Sequence, residues 1–145
     1  MCKILFLDAD GVINCVRNFD PKSEEYRRSG GYPVDEELIA QVKRIIAETG
    51  CEVVLSSAWR IHAEGRAAVQ KHIRLLDITP YAHGELMRGR EVRMWLQGHP
   101  EVERYAILDD NSDFLRFQPL FKTTFDHGLT EDIANKVIAH LNGRE

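Results

Sequence analysis

Ile4-Leu5-Phe6-Leu7-Asp8-Ala9-Asp10-Gly11 decides the fold through its change of character. Four consecutive apolar residues stop at two acids and a glycine, which reads as a buried strand running into a tight polar turn. The same pattern recurs downstream. Cys51 to Leu55, apolar but for Glu52, ends in Ser56-Ser57, and Tyr105 to Leu108 ends in Asp109-Asp110. A short run from Phe121 to Phe125 is a candidate fourth strand.

Helical signals lie between these runs. Asp35 suits an N-cap, with Val34 and Ile39 bracketing it as a hydrophobic staple. Leu38, Val42, Ile45 and Ile46 then recur on one face until Gly50 supplies a stop. Further helices are expected over 64–76 and 90–96, the latter carrying Val92 and Trp95 inward. Thr130 caps a last helix with Ile133, Val137, Ile138 and Leu141 on its apolar face and Gly143 at its end. Residues 15–33, with Arg17-Asn18 and Arg27-Arg28-Ser29-Gly30-Gly31, read as a loop. Strands alternating with helices predict a three-layer, Rossmann-like α/β domain: a mostly parallel sheet with helices on both faces, spanning residues 1–145 as one domain.

Composition sets the bounds. A chain of 145 residues, 43% hydrophobic, has the size of one ordinary domain. Such a domain buries roughly 68–70% of the surface its unfolded chain exposes, so it needs no covalent staple. The 19 Lys+Arg against 23 Asp+Glu leave a net charge of -4, which excludes a generally basic nucleic-acid coat but not a local basic cleft. Cys2, Cys15 and Cys51 form no CxxC pair, which excludes a disulfide framework and a cysteine-rich zinc site and fits a reducing cytoplasm. No apolar run is long enough to span a membrane, and the acidic turn after Leu7 is wrong for a signal peptide. The expectation is a soluble cytoplasmic domain.

In an open parallel sheet, ligands bind beyond the carboxyl ends of the strands. If the three polar-ended strands are neighbours, four carboxylates and two hydroxyls converge there. Two like charges about 4 Å apart repel by about 1 kcal/mol in water and about 4 kcal/mol at an effective dielectric near 20. Such a cluster raises carboxylate pKa values unless a cation enters. An all-oxygen site suits Mg²⁺, which takes few carboxylates, keeps waters and binds phosphate oxygens. A carboxylate is also a nucleophile able to form an aspartyl-phosphate. Each motif alone has a plainer reading: D-x-D-G as an ordinary turn, Ser-Ser as a helix cap, Asp-Asp-Asn-Ser-Asp as a solvated turn. The ordered combination, each member directly after an apolar strand, carries the signal. Rival motifs fail: an EF-hand loop begun at Asp8 meets Ile13 and Phe19 where glycine and glutamate belong. Neither a GxxxxGK loop nor a GxGxxG turn occurs.

FLDADGV (6–12) resembles motif I of the haloacid dehalogenase-like (HAD) phosphohydrolase superfamily, and VVLSSAWR (53–60) resembles its motif II. RGRE (88–91) occupies the place of motif III and ILDDNSD (107–113) that of motif IV, all in the family's order. The S-x-W-R and RGxE signatures, with Gly128-Leu129-Thr130, further resemble the small HAD domains of multidomain RNA-repair proteins.

The resemblance implies that Asp8 is the nucleophile, and that Asp10 protonates the leaving oxygen and then activates water. It implies that Ser57, or Ser56 if the alignment slides by one, binds a phosphoryl oxygen. Mg²⁺ would be held by Asp8, the Asp10 carbonyl, Asp109 and Asp110. Motif III commonly supplies lysine; here the basic residue is Arg88, with Arg90 as the alternative. Arg60 is expected to meet a substrate phosphate, and Gly11 to belong to the substrate-binding turn. Trp59 reads as a core aromatic in preference to a base-stacking one. Asn111 and Asp113 shape the turn after motif IV, and among six histidines only His127, beside Asp126, is a site candidate.

HAD enzymes acting on small metabolites usually carry a cap domain. The stretches Asn14 to Pro33 and Trp59 to motif III are too short for one, so the chain resembles a capless member with a flap-like loop at 15–33. An open crevice favours a phosphate on something large, a nucleic-acid or nucleotide terminus first and a phosphoprotein next. Arginines 27, 28, 60, 66, 88, 90 and 93 are candidates for a basic rim. Two alternatives stand: a small-metabolite phosphatase closed by a partner subunit, and a non-enzymatic phospho-accepting domain like a response-regulator receiver. Receivers place the acidic pair after the first strand and the phosphorylated Asp later, the reverse of the order here.

Overall fold

The computed structural model describes residues 2–144. Five strands form one all-parallel sheet: β1 (Cys2–Leu7), β2 (Glu52–Leu55), β3 (Asp77–Ile78), β4 (Val102–Asp109) and β5 (Leu120–Lys122), in the order β3-β2-β1-β4-β5. Five helices accompany them: α1 (Glu24–Arg28), α2 (Glu36–Thr49), α3 (Ala63–Gln70), α4 (Met87–Gln97) and α5 (Glu131–Leu141). The expected Rossmann-like α/β architecture is what the chain adopts, with no cap domain among the described residues. No helix among the described residues is long and apolar enough to cross a membrane.

The unbroken apolar runs have a simple cause. Successive strand side chains point to opposite faces, and here both faces are covered. Leu5, Leu7, Val53, Leu55, Ala106 and Leu108 pack with α2, α3 and α5, around Ile39, Val42, Val69, Val137 and Leu141. Ile4, Phe6, Val54 and Ile107 meet Val92 and Trp95 of α4 and Phe114 on the other face. Phe6 abuts the Trp95 ring edge-on at 5.5 Å between centroids. Burying each such side chain contributes roughly 1.5–3 kcal/mol.

Chain order sets where the crevice lies. From β1 the chain crosses through α2 to β2 and through α3 to β3, then returns through α4 to β4 on the other side of β1. The switch point, where parallel α/β sheets bind ligands, falls between β1 and β4.

The helix signals at Asp35 and Gly50 hold: Asp35 accepts from the Glu37 and Leu38 N–H groups, and Gly50 closes α2 in the left-handed region. Thr130 caps α5 through the Ile133 N–H. Other expectations need correction. The helix expected over 64–76 stops at Gln70, because the Leu76 N–H bonds to the Val53 carbonyl and draws the chain into the sheet. β3, just two residues long and opened by Asp77, has no apolar run to announce it. α4 starts at Met87 instead of Arg90, from Leu86 in the left-handed region (φ 53°) with no side-chain cap. β4 extends back to Val102 through Glu103 and Arg104, and β5 ends at Lys122 because Thr124 turns to bridge Gly128. Residues 15–33 hold a 3₁₀ turn at Val16–Asn18 and the short α1. Arg17 and Asn18 tie this segment to Asp35, and Phe19 packs on Phe125 at 5.3 Å.

Candidate active site

The sheet ladder runs one residue past β1, β2, β3 and β5 and so fixes the polar motifs at their ends. The Asp8 N–H donates to the Leu108 carbonyl, Ser56 to Leu7, Thr79 to Leu55 and Thr123 to Asp109, at 2.9–3.1 Å. Asp8 and Asp109 thereby emerge side by side at the switch point, since Leu7 pairs with Leu108. One carboxylate oxygen each from Asp8, Asp109 and Asp110 lie within 4.8 Å of one another.

Gly11 makes this approach possible. Its φ is +81°, and a Cβ there would collide with the Asp110 carboxylate. Its N–H donates to Asn14 Oδ1 at 2.9 Å and its carbonyl accepts from the Thr123 hydroxyl at 2.5 Å. Asn14, itself buried, also donates to the Asp10 carboxylate and to the Pro33 carbonyl, each at 3.0 Å. Asp10 is exposed, and its carboxylate stands apart from the acidic trio.

Arg88 enters from α4. Its Nη1 lies 3.1 Å from Asp109 Oδ2 and 3.5 Å from Asp8 Oδ1. Asp113 braces the start of α4: its carboxylate accepts from the Arg88 N–H and its carbonyl from the Gly89 N–H. Gln118 donates to the Gly89 carbonyl and accepts from the Leu115 N–H. Arg90 turns elsewhere and donates to the His83 carbonyl. Geometry therefore favours Arg88 of the two arginines.

Burial raises the Asp8 carboxyl well above the usual carboxylate range; Asp109 adds to this, and Arg88 opposes it. Asp109 is raised too, by burial against the pull of Arg88. Burial also works against the Arg88 charge, but Asp8, Asp109 and Asp110 outweigh it and hold the guanidinium protonated. A clustered, desolvated set of carboxylates relieved by a single arginine is what a hard divalent cation would neutralise, and all-oxygen donors fit Mg²⁺.

The two serines differ in their surroundings. Ser57 Oγ accepts from the Trp59 N–H at 3.0 Å, capping a 3₁₀ turn at Ala58–Ile61. Ser56 Oγ is buried with no hydrogen-bond partner. Thr79 Oγ1, at the exit of β3, is buried without a partner as well, and an unmet buried hydroxyl is costly.

Arg60 corrects an expectation. It does not line the crevice mouth: it is 4% exposed and bonded to Glu91 and to the carbonyls of Ser56, Ser57, Thr79 and Pro80. Trp59 is a core aromatic, edge-on to Tyr32. Asn111 shapes the turn after β4, its side chain accepting from the Asp113 N–H. His127 is exposed. The arginine rim is thinner than composition suggested, because Arg28 pairs with Glu24 and Arg66 donates to the Arg60 carbonyl. Asn14, Gln118 and Thr123 are not legible in the sequence as site-building residues, and Glu91 shows there only as the last letter of the RGxE signature, without its partner. Each acts through partners distant in sequence or through a turn whose shape no local pattern announces.

No curated protein and no solved structure matches the chain. Residues 4–134 match the family model described as the HAD domain in Swiss Army Knife RNA repair proteins. The match runs from the strand that delivers Asp8 into the helix that closes the fold, and so takes in every motif at the crevice: the chain belongs to this HAD domain family.

Proposed function

We propose that this chain is a Mg²⁺-dependent phosphomonoester hydrolase working through an aspartyl-phosphate. The observation that carries the reading is the Asp8, Asp109 and Asp110 trio at the switch point, with Arg88 reaching two of its members.

An Asp8 carboxylate oxygen attacks phosphorus and the ester oxygen leaves, taking a proton from Asp10. Asp10, held by Asn14, then removes a proton from water, which attacks phosphorus and releases inorganic phosphate and free Asp8. Arg88 neutralises charge on the transferring phosphoryl group, and Ser56, with its unpartnered hydroxyl, donates to one of its oxygens. Asp8, Asp109, Asp110 and the Asp10 carbonyl would hold Mg²⁺, which when bound would supply charge neutralisation for the incoming dianion.

With no cap over the crevice, the substrate we infer is a phosphate on a nucleic-acid or nucleotide terminus. The family described for RNA repair proteins supports this choice over a phosphoprotein or a small metabolite. Hydrolysis of p-nitrophenyl phosphate with Mg²⁺, with EDTA and with Asp8→Asn tests the chemistry; 3′- and 5′-phosphorylated oligonucleotides test the substrate. Metal- and Asp8-dependent turnover with preference for one oligonucleotide end is the expected result. A stable phosphate retained on Asp8 without turnover would assign a phospho-accepting regulatory domain instead.

A further inference from the structure

The buried ion pair between Arg60 and Glu91 joins the two halves of the site. Nη2 of Arg60 lies 2.9 Å from Glu91 Oε2, and both side chains are about 95% withdrawn from solvent. Arg60 also donates from Nη1 to the Ser56 and Ser57 carbonyls at 3.1 and 2.9 Å. It reaches the Thr79 carbonyl from Nε at 3.0 Å and the Pro80 carbonyl from Nη2 at 3.2 Å. The Tyr81 ring lies 4.6 Å from its guanidinium carbon. Glu91 takes a further hydrogen bond from the Ala82 N–H at 3.0 Å.

One guanidinium thus fixes the exit of β2, the exit of β3 and, through Glu91, helix α4. Glu91 lies three residues after Arg88, on the same side of that helix. A buried ion pair is poor evidence for stability, because desolvation can cancel its attraction, whereas well-fitted apolar residues of similar volume often do as well. Its value here is directional. The fork matches four carbonyls and a carboxylate in fixed positions, which a lysine ammonium cannot reproduce. We propose that Arg60 and Glu91 are positioning residues that hold Arg88 and the Ser56-Ser57 backbone in register for one phosphoryl group. The proposal rests on the phosphohydrolase reading and deepens it.

The test compares the wild type with Arg60→Lys, Glu91→Gln, the apolar pair Arg60→Met/Glu91→Leu, Arg88→Gln and Asp8→Asn. Each is assayed for p-nitrophenyl phosphate turnover, for calorimetric affinity toward inorganic phosphate with Mg²⁺, and for thermal unfolding. The expected result is a fall in kcat of about tenfold or more in Arg60→Lys, Glu91→Gln and the apolar pair, with phosphate affinity falling as in Arg88→Gln. The apolar pair leaves four carbonyls and the Ala82 N–H without these partners and is expected to melt lower. Its kcat and phosphate affinity are therefore measured well below its melting temperature, where the protein is folded, which separates positioning from folding. Phosphate affinity and kcat within twofold of wild type in a folded apolar pair would overturn the proposal, as would losses that track the melting temperature alone. A wild type that binds phosphate but does not hydrolyse the ester, or an Asp8→Asn protein that still does, overturns the phosphatase reading and leaves the affinity comparison to decide the positioning role. A wild type that neither binds phosphate nor hydrolyses the ester overturns both.

Discussion

Asp8 and Asp109 end adjacent parallel strands in matching register, and a single Arg88 nitrogen lies within 3.5 Å of both carboxylates. Both acids are almost fully withdrawn from solvent. That relationship makes the site electrostatically tense, because burial raises both carboxyls, Asp109 adds to the rise of Asp8 and Asp110 to that of Asp109, and the Arg88 charge opposes both. The arrangement favours whatever brings further positive charge.

Asp8→Asn separates function from stability. Turnover should fall by about a thousandfold or more, since the nucleophile is gone. Stability measured without Mg²⁺ should stay level or rise by about 1 kcal/mol, because a desolvated charge beside Asp109 is removed. Urea melts with and without Mg²⁺ check this, and the variant should lose most of the stabilisation that Mg²⁺ confers on the wild type.

Ser56→Ala and Ser57→Ala should behave in opposite ways. Ser57 caps the 3₁₀ turn, and its loss should cost about 1 kcal/mol of stability with a modest effect on rate. Ser56 has no partner to lose, so its replacement should be nearly neutral for stability and should lower kcat by tenfold or more. Chemical denaturation beside steady-state kinetics distinguishes the two.

Gly11→Ala should weaken Mg²⁺ binding without replacing any of the proposed donors. A side chain at φ +81° costs about 1–2 kcal/mol, and its Cβ would displace the Asp110 carboxylate. Calorimetric titration should show Mg²⁺ affinity reduced by about tenfold.

Asp35 should produce an acid-sensitive step in stability. Burial alone would raise its carboxyl, but hydrogen bonds from Arg17, Asn18 and the Leu38 N–H reverse that and hold it at about 2. A carboxylate depressed in the folded state contributes stability that is complete above its unfolded value of about 3.9 and lost as pH falls through the folded one. The contribution is roughly 1–2 kcal/mol, kept modest because Arg17 is half exposed. The wild-type advantage over Asp35→Asn should therefore hold at pH 5 and fade between about pH 4 and pH 2 in urea melts.

The legible parts of this protein share a local origin. A buried strand shows in four apolar residues, a helix start in Asp35 or Thr130, a helix end in Gly50. β3 is not announced because two residues set no pattern, and neither is the start of α4 because Leu86 lacks a capping side chain. Arg60 reads from sequence as a residue of the crevice mouth because a charged residue after a strand is ordinarily exposed. Here four backbone carbonyls and Glu91, assembled from three separate segments, meet its charge and fork inside the fold.

By itself the sequence determined the α/β alternation and the acids and serines at strand ends, because strand propensity and turn chemistry act between neighbours along the chain. Tertiary structure alone decided that Asp109 stands beside Asp8, since strand order depends on crossover direction. It likewise decided that Arg88 and not Arg90 reaches the acids, and that Ser56 keeps an unpartnered hydroxyl while Ser57 caps a turn. These outcomes follow from the rotation of α4 on the sheet and from the path of the chain beyond β2, which are set by packing between segments distant in sequence.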